Sequence, residues 1–97
     1  MKLKENSLTV YNFVKEHQDE NITAADIEKA TGLNARQVNG IITMAFQRHK
    51  EEVDGEKVEV PLMVRVPAEM ELEDGSHKPI KLIKLTEAGM NLEVEAE

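Results

Sequence analysis

The sequence predicts an α+β fold in which helices come first and a β-hairpin follows. Apolar residues recur at helical spacing in the first half of the 97-residue chain, where two capping boxes mark helix starts. In the second half, apolar and polar residues alternate on either side of an Asp-Gly turn signal. A chain of this length forms one domain, which buries roughly 60–65% of the surface its unfolded form exposes.

The composition favours a globular protein, with 40% apolar and 32% charged residues. The absence of cysteine excludes a disulfide scaffold, a thiolate zinc site and a cysteine nucleophile. No apolar run reaches the ~18 residues of a membrane span, and no signal-peptide pattern opens the sequence. We therefore expect a cytoplasmic protein.

The net charge of −7 is unevenly distributed. Residues 1–50 carry seven Lys/Arg and six Asp/Glu, a balance of +1, whereas residues 51–97 carry five and thirteen, a balance of −8. The acidic excess disfavours indiscriminate binding to nucleic acid. A local basic face remains compatible with it, because charges further apart than a Debye length of ~10 Å are largely screened.

The first predicted helix covers residues 6–17, where apolar residues recur at mixed helical spacing. Asn6 or Ser7 is the expected N-cap. The polar residues that follow end the helix, and Ile22 then lies alone in a short extended segment.

The second predicted helix covers residues 24–31, between a capping box and a glycine. Thr23 and Asp26 have the spacing of that capping box. Gly32 is suited to the position just after the helix, where a left-handed conformation is common.

The third predicted helix covers residues 35–49 and begins with a capping box formed by Asn34 and Gln37. Its apolar residues match the template of a helix with one buried face: Val38, Ile41, Ile42, Ala45 and Phe46. Only residues 32–34 separate it from the second helix. A tight, glycine-containing turn between two short capped helices is typical of a helix-turn-helix.

Strands are predicted after residue 50. Residues 51–59 are acidic and form a loop or a loose hairpin. Residues 62–66 form a strand, Asp74-Gly75 is a hairpin turn signal, and residues 80–85 form the returning strand, limited on its far side by Pro79.

The chain is predicted to end with a short helix and a tail. Thr86 is positioned to cap the helix. The single domain then covers residues 1–92, and residues 93–97 form an acidic, frayed tail.

The order of these elements is that of a winged helix-turn-helix domain, and two segments strengthen the resemblance. Residues 22–42 resemble the bacterial pattern of an A-x-x-I/L helix, a turn of Gly, hydrophobic and polar residues, and a recognition helix bearing Val. Residues 84–89, Lys-Leu-Thr-Glu-Ala-Gly, resemble the L-T-x-x-G ending of the wing in MarR-like and PadR-like bacterial and phage transcriptional regulators. Val64-Arg65 resembles the start of the first wing strand in the same regulators.

The resemblance implies a fold and a function. The expected fold is a three-helix core with a two- to three-stranded antiparallel β-wing and a short C-terminal helix. The expected function is sequence-specific binding of double-stranded DNA by a regulator of transcription. Helix 35–49 would enter the major groove, and wing 62–85 would contact the backbone.

The candidate DNA-binding residues lie on the polar face of the third helix and at the wing tip. Residues 34–50 contain three cations and no acid. Arginine suits a guanine edge, and the amides of Gln37 and Asn39 suit adenine. At the wing tip, two residues are suited to phosphate. The set is Asn34, Arg36, Gln37, Asn39, Gly40, Thr43, Gln47, Arg48, Lys50, His77 and Lys78.

The acids of the wing support an alternative function. Glu69, Glu71 and Glu73 share one strand face, which is either solvated or paired across the hairpin with Lys78 and Lys81. The acidic half of the chain also suits a basic partner. The alternative is therefore an acidic winged-helix module that binds protein in a transcription or replication complex, or that mimics DNA. A compact phage-encoded factor fits either function.

No catalytic, metal-binding or cofactor-binding pattern is found. The three histidines lack the spacing of a helical metal site, and no phosphate-binding glycine loop occurs. We therefore expect neither an enzyme nor a bound cofactor.

Two surfaces are candidates for a homodimer interface: the exposed edge of the first helix and the segment around Met90 and Leu92.

Overall fold

The computed structural model describes residues 2–96, and the side chains of residues 2–94. Within this range the fold is α+β, with four helices and two antiparallel hairpins. The elements in chain order are β1 (Lys2–Leu3), α1 (Glu5–Glu16), α2 (Ala24–Thr31), α3 (Ala35–Ile41), a π-helical segment (Ile42–Gln47), β2 (Lys50–Val53), β3 (Glu56–Glu59), β4 (Met63–Glu71), β5 (His77–Leu85), α4 (Glu87–Met90) and β6 (Glu95–Ala96).

Helix α1 begins one residue earlier than the sequence predicts, and its predicted cap is wrong. Lys4 is the N-cap and makes no side-chain capping bond, whereas Asn6 and Ser7 lie inside the first turn. The helix is held by its buried face, on which Val10 and Val14 have no exposed surface. Packing of that face fixes the start of α1 without a capping side chain.

Both predicted capping boxes are confirmed. The Thr23 hydroxyl accepts a hydrogen bond from the Asp26 amide, and the Asp26 carboxylate accepts one from the Thr23 amide. The same reciprocal pair joins Asn34 and Gln37 at the start of α3. Gly32 ends α2 at a φ of 80°, as expected for a left-handed C-terminal residue.

The third helix differs from the single α-helix predicted over residues 35–49. Its second half, Ile42–Gln47, is a π-helix, and Arg48 already lies at the C-cap. The Phe46 carbonyl accepts a hydrogen bond of 2.9 Å from the amide of Leu62, besides a longer one of 3.4 Å from the amide of His49. The end of the third helix is thereby tied to the residue that precedes β4.

A short hairpin, formed by β2 and β3, occupies the segment predicted as a loop or a loose hairpin. Asp54 and Gly55 both have positive φ, at 52° and 83°, which is the geometry of a two-residue type I′ turn. All eight strand residues are exposed. This hairpin therefore adds nothing to the core.

A long hairpin, formed by β4 and β5, is longer than both strands the sequence predicts. Pro79, predicted to limit the returning strand, lies inside β5 opposite Glu69, and Pro67 lies inside β4 opposite Lys81. These two pairs are two residues apart, so both prolines take the same kind of ladder position. Because the hairpin has only two strands, an amide that points away from the partner strand forms no ladder hydrogen bond. Proline, which has no amide hydrogen, is therefore tolerated at such a position.

Helix α4 follows the long hairpin and packs against β5. As predicted, Thr86 caps α4: its hydroxyl accepts from the Gly89 amide and donates to the Pro61 carbonyl at 2.6 Å. The Tyr11 hydroxyl donates to the buried Gly89 carbonyl at 2.7 Å. A Cβ at Gly89 would lie 2.0 Å from the Leu62 carbonyl oxygen, so only glycine fits.

Two residues of the predicted frayed tail, Glu95 and Ala96, form the short strand β6. The backbone of Glu95 and Ala96 pairs in parallel with Lys2 and Leu3. Leu3 is buried and joins the core, which ties the two ends of the described chain to the same side of the fold.

One core lies between the helices and the base of the long hairpin. The Tyr11 and Phe46 rings meet with their centroids 5.9 Å apart at its centre. The remaining buried side chains are Leu3, Val10, Val14, Ile22, Ile27, Val38, Ile42, Leu62, Met63, Ile83 and Leu85. Within residues 2–96, no helix combines the length and the apolar character needed to cross a bilayer.

Candidate nucleic-acid interface

The exposed face of α3 carries one free cation near its N-terminus. Arg36 is exposed, and the described residues offer its guanidinium neither a hydrogen bond nor an ion pair. It lies in the first turn of the helix, where no acidic residue is present. The predicted acid-free face therefore includes an arginine available to a ligand.

The amides at the start of α3 are used inside the protein. The Asn34 Oδ1 atom accepts from the Gln37 amide at 2.8 Å, and the Gln37 Oε1 atom accepts from the Asn34 amide at 3.0 Å. Both side-chain oxygens thus stabilise the helix terminus. For Gln37, this role competes with the predicted reading of adenine.

Arg65 of β4 contacts the same face and was not among the predicted site residues. Its guanidinium donates to the Gln47 Oε1 atom, and it reaches the backbone oxygen and the Oδ1 atom of Asn39, each at 3.3 Å. The Asn39 Nδ2 atom in turn donates to the Ala35 carbonyl at 2.9 Å. We call this set the Arg65 bridge, because it joins the long hairpin to the third helix.

A signal for the Arg65 bridge is present in the sequence. Side chains alternate along a strand, so Arg65 shares a face with Met63, which is fully buried. An arginine two residues beyond a core residue is directed toward the element that packs on that face. Here that element is the third helix.

Gly40 lies on the exposed face with no internal reason for being glycine. A Cβ there would meet nothing within 4 Å. Glycine inside a helix costs about 1 kcal/mol relative to alanine. Thr43, further along the helix, is half-buried.

Two predicted contact residues lie beyond Gln47, the last residue of the π-helical segment. Arg48 is the C-cap residue, and its guanidinium lies 4.0 Å from the Met44 sulfur. Lys50 is the first residue of β2 and pairs in register with Glu59. The predicted basic end of the recognition helix is therefore split between a helix terminus and the short hairpin.

Near the tip of the long hairpin, Lys78 lies on a different face from the acids with which it could pair. In register, Glu71 lies opposite His77, and Met70 lies opposite Lys78. Alternation therefore puts Lys78 on the face opposite Glu71, and the predicted pairing of Lys78 with the acids is wrong. His77 lies 4.0 Å from Glu69 across the strands. Lys81 shares the face of Arg65.

The turn of the long hairpin is fixed by Asp74. Its Oδ1 atom accepts from the amide of Ser76 at 2.9 Å and from the hydroxyl of the same residue at 2.5 Å. These hydrogen bonds lower the pKa of the Asp74 carboxyl below its ordinary value of 3.8. The turn stays anionic at neutral pH, beside His77 and Lys78.

The short hairpin presents a different surface. Val53 and Val58 are 50% and 43% exposed. The register puts Glu51 and Glu56 on the same face as these valines. The two acids make this face unfavourable for DNA, and the valines offer a protein partner an apolar contact.

Metal binding finds no support in the described part of the chain, where no three His, Asp or Glu side chains converge.

Comparison with protein-family models, with curated proteins and with solved structures gives no match. The residues of this chain alone therefore carry the functional argument.

Proposed function

We propose that this protein is a small double-stranded DNA-binding domain of the winged helix-turn-helix type, acting in the regulation of transcription. The third helix enters the major groove, and the long hairpin serves as the wing beside it. The observation that carries this proposal is the acid-free exposed face of α3, with Arg36 free at its N-terminal end. The N-terminal part of a recognition helix is the part that reaches base edges.

The long hairpin supports the proposal through its position and its cations. Arg65 ties β4 to Asn39 and Gln47, so the hairpin and the third helix form one continuous surface. Nine residues per strand extend the hairpin about 30 Å, which carries its tip beyond the helix toward a neighbouring stretch of backbone. Both His77 and Lys78 are exposed at that tip: His77 lies on the Arg65 face, which also carries Glu69 and Glu71, and Lys78 lies on the other face.

The salt dependence of duplex binding tests this function. We expect the anisotropy of a labelled random-sequence duplex to rise with protein, and log K to fall with log salt at about −0.9 for each phosphate contacted. The few cations named here correspond to a slope of about −3 to −5. Lys78→Ala should make the slope of log K against log salt less negative by about one unit.

Lys57→Ala is the matched control, because it removes the same charge from the acidic short hairpin. We expect it to leave the slope unchanged. Absence of binding at low salt, or equal effects of the two substitutions, contradicts the proposed surface.

A second candidate function is favoured by the short hairpin. Its eight strand residues are exposed and contribute nothing to the core, although isolated two-stranded hairpins are only marginally stable. The face formed by Glu51, Val53, Glu56 and Val58 suits a basic partner protein with an apolar contact. Under this function the domain acts as a protein-interaction module.

A further inference from the structure

We propose that the α3 face reads guanine through Arg36 and not adenine through its amides, and that Arg65 is the positioning residue that enforces this preference. The inference rests on the proposed function, since it names the base chemistry that the same surface recognises. It follows from which polar atoms are already used within the protein and which are not.

Reading adenine requires both polar atoms of an amide. The oxygen must accept from adenine N6, while the nitrogen donates to N7. The amide oxygens of Asn34 and Gln37 are both used in the capping box. Breaking that box to contact a base would leave helix donors unpaired, at a cost that reduces any gain in affinity.

The Arg65 bridge engages the two remaining amides. Arg65 donates to the side-chain oxygens of Asn39 and Gln47, and the Asn39 nitrogen is bonded to the Ala35 carbonyl. Hydrogen bonds from a charged donor are about twice as strong as those between neutral groups. Arg65 therefore engages the oxygens of both amides, and the Asn39 nitrogen is engaged as well, so an adenine contact by either amide competes with these bonds.

Arg36 differs from these amides because its guanidinium is free. It lies one turn before Asn39 on the exposed side of α3, and no described residue bonds to it. A free arginine fork fits guanine, which offers O6 and N7 as paired acceptors in the major groove. Guanine is therefore the base that this face selects without breaking any internal bond.

Selection from a pool of duplexes with a randomised centre tests the inference. The wild-type protein should enrich guanine at one or more positions, and Arg36→Ala should lower that preference roughly tenfold or more. Arg65→Lys keeps the charge but loses the fork that holds two amides. With Asn39 and Gln47 released, we expect adenine to become accepted at a position next to the guanine.

Two further readouts separate positioning from a merely structural role. Arg65→Lys should shift the side-chain amide NMR signals of Asn39 and Gln47, because the bonds to their oxygens are lost. Its melting temperature should stay near the wild-type value. A large loss of melting temperature with no change in base preference contradicts the positioning role.

The remaining outcomes distinguish this inference from the function on which it rests. Duplex binding with no guanine enrichment, or with adenine enrichment that Asn39→Ala abolishes, overturns the inference and leaves duplex binding intact. Absence of duplex binding at low salt overturns both.

Discussion

Replacing Gly89 with alanine is expected to destabilise the fold by about 3 kcal/mol, at the upper end of the usual cost of overpacking. The new Cβ would lie 2.0 Å from the Leu62 carbonyl oxygen and 3.1 Å from a Leu85 methyl carbon. Backbone cannot move aside as a flexible side chain can. For a domain of this size, the melting temperature should fall by roughly 12–24 °C in a thermal unfolding experiment.

Gly40→Ala is the matched control for this prediction. The Cβ added at Gly40 meets nothing within 4 Å, and alanine is the better helix former. We expect a gain of about 0.5–1 kcal/mol in the free energy of unfolding. If the two substitutions change stability in the same direction, the close contact of α4 with Leu62 is wrong.

Tyr11→Phe is expected to cost about 1–2 kcal/mol of stability. The substitution keeps the ring against Phe46 but removes the hydrogen bond to the buried Gly89 carbonyl. That carbonyl keeps a longer bond, of 3.4 Å, from the Leu92 amide and a contact with the Asn91 amide. Thr9→Val removes an exposed hydrogen bond from the same helix, so it should cost less than about 0.5 kcal/mol in urea unfolding.

The same tyrosine predicts how stability changes at alkaline pH. Burial raises the pKa of the Tyr11 phenol above its ordinary value of 10.0. Above pH 10.0 the unfolded chain releases the phenolic proton while the folded chain retains it, so stability falls as pH rises. Unfolding followed between pH 9 and 12 should show a steeper loss in the wild type than in Tyr11→Phe. Equal slopes contradict the buried phenol.

The chain contains one tyrosine, so its ultraviolet absorbance reports this ionisation alone. We expect the phenolate signal to appear together with unfolding. A phenolate signal that appears while the protein remains folded contradicts the burial of the hydroxyl.

Local chemistry explains which elements the sequence predicts well. Both capping boxes, the left-handed Gly32 and the Asp-Gly turns depend on residues close together in the chain, and the structure contains each of them. The buried face of the third helix also follows from spacing alone, since Val38, Ile42 and Phe46 are fully buried.

Elements that depend on distant residues are predicted poorly. Nothing near Glu95 indicates that it pairs with Lys2, because that short parallel contact is made across the whole chain. Pro79 suggests a strand end, because the sequence does not show that its nitrogen faces away from the partner strand, where no ladder hydrogen bond is lost. The Arg65 bridge joins residues 18 and 26 positions apart, so spacing within one helix cannot predict it.

Amide NMR spectra recorded while a random-sequence duplex is added test DNA binding by the third helix and the long hairpin. We expect the largest shifts in α3 around Arg36, in β4 around Arg65 and at the turn next to Lys78. The short hairpin, residues 50–59, should change little. Shifts confined to the short hairpin, or the absence of any shift in α3 at low salt, would contradict DNA binding and favour the protein-interaction module.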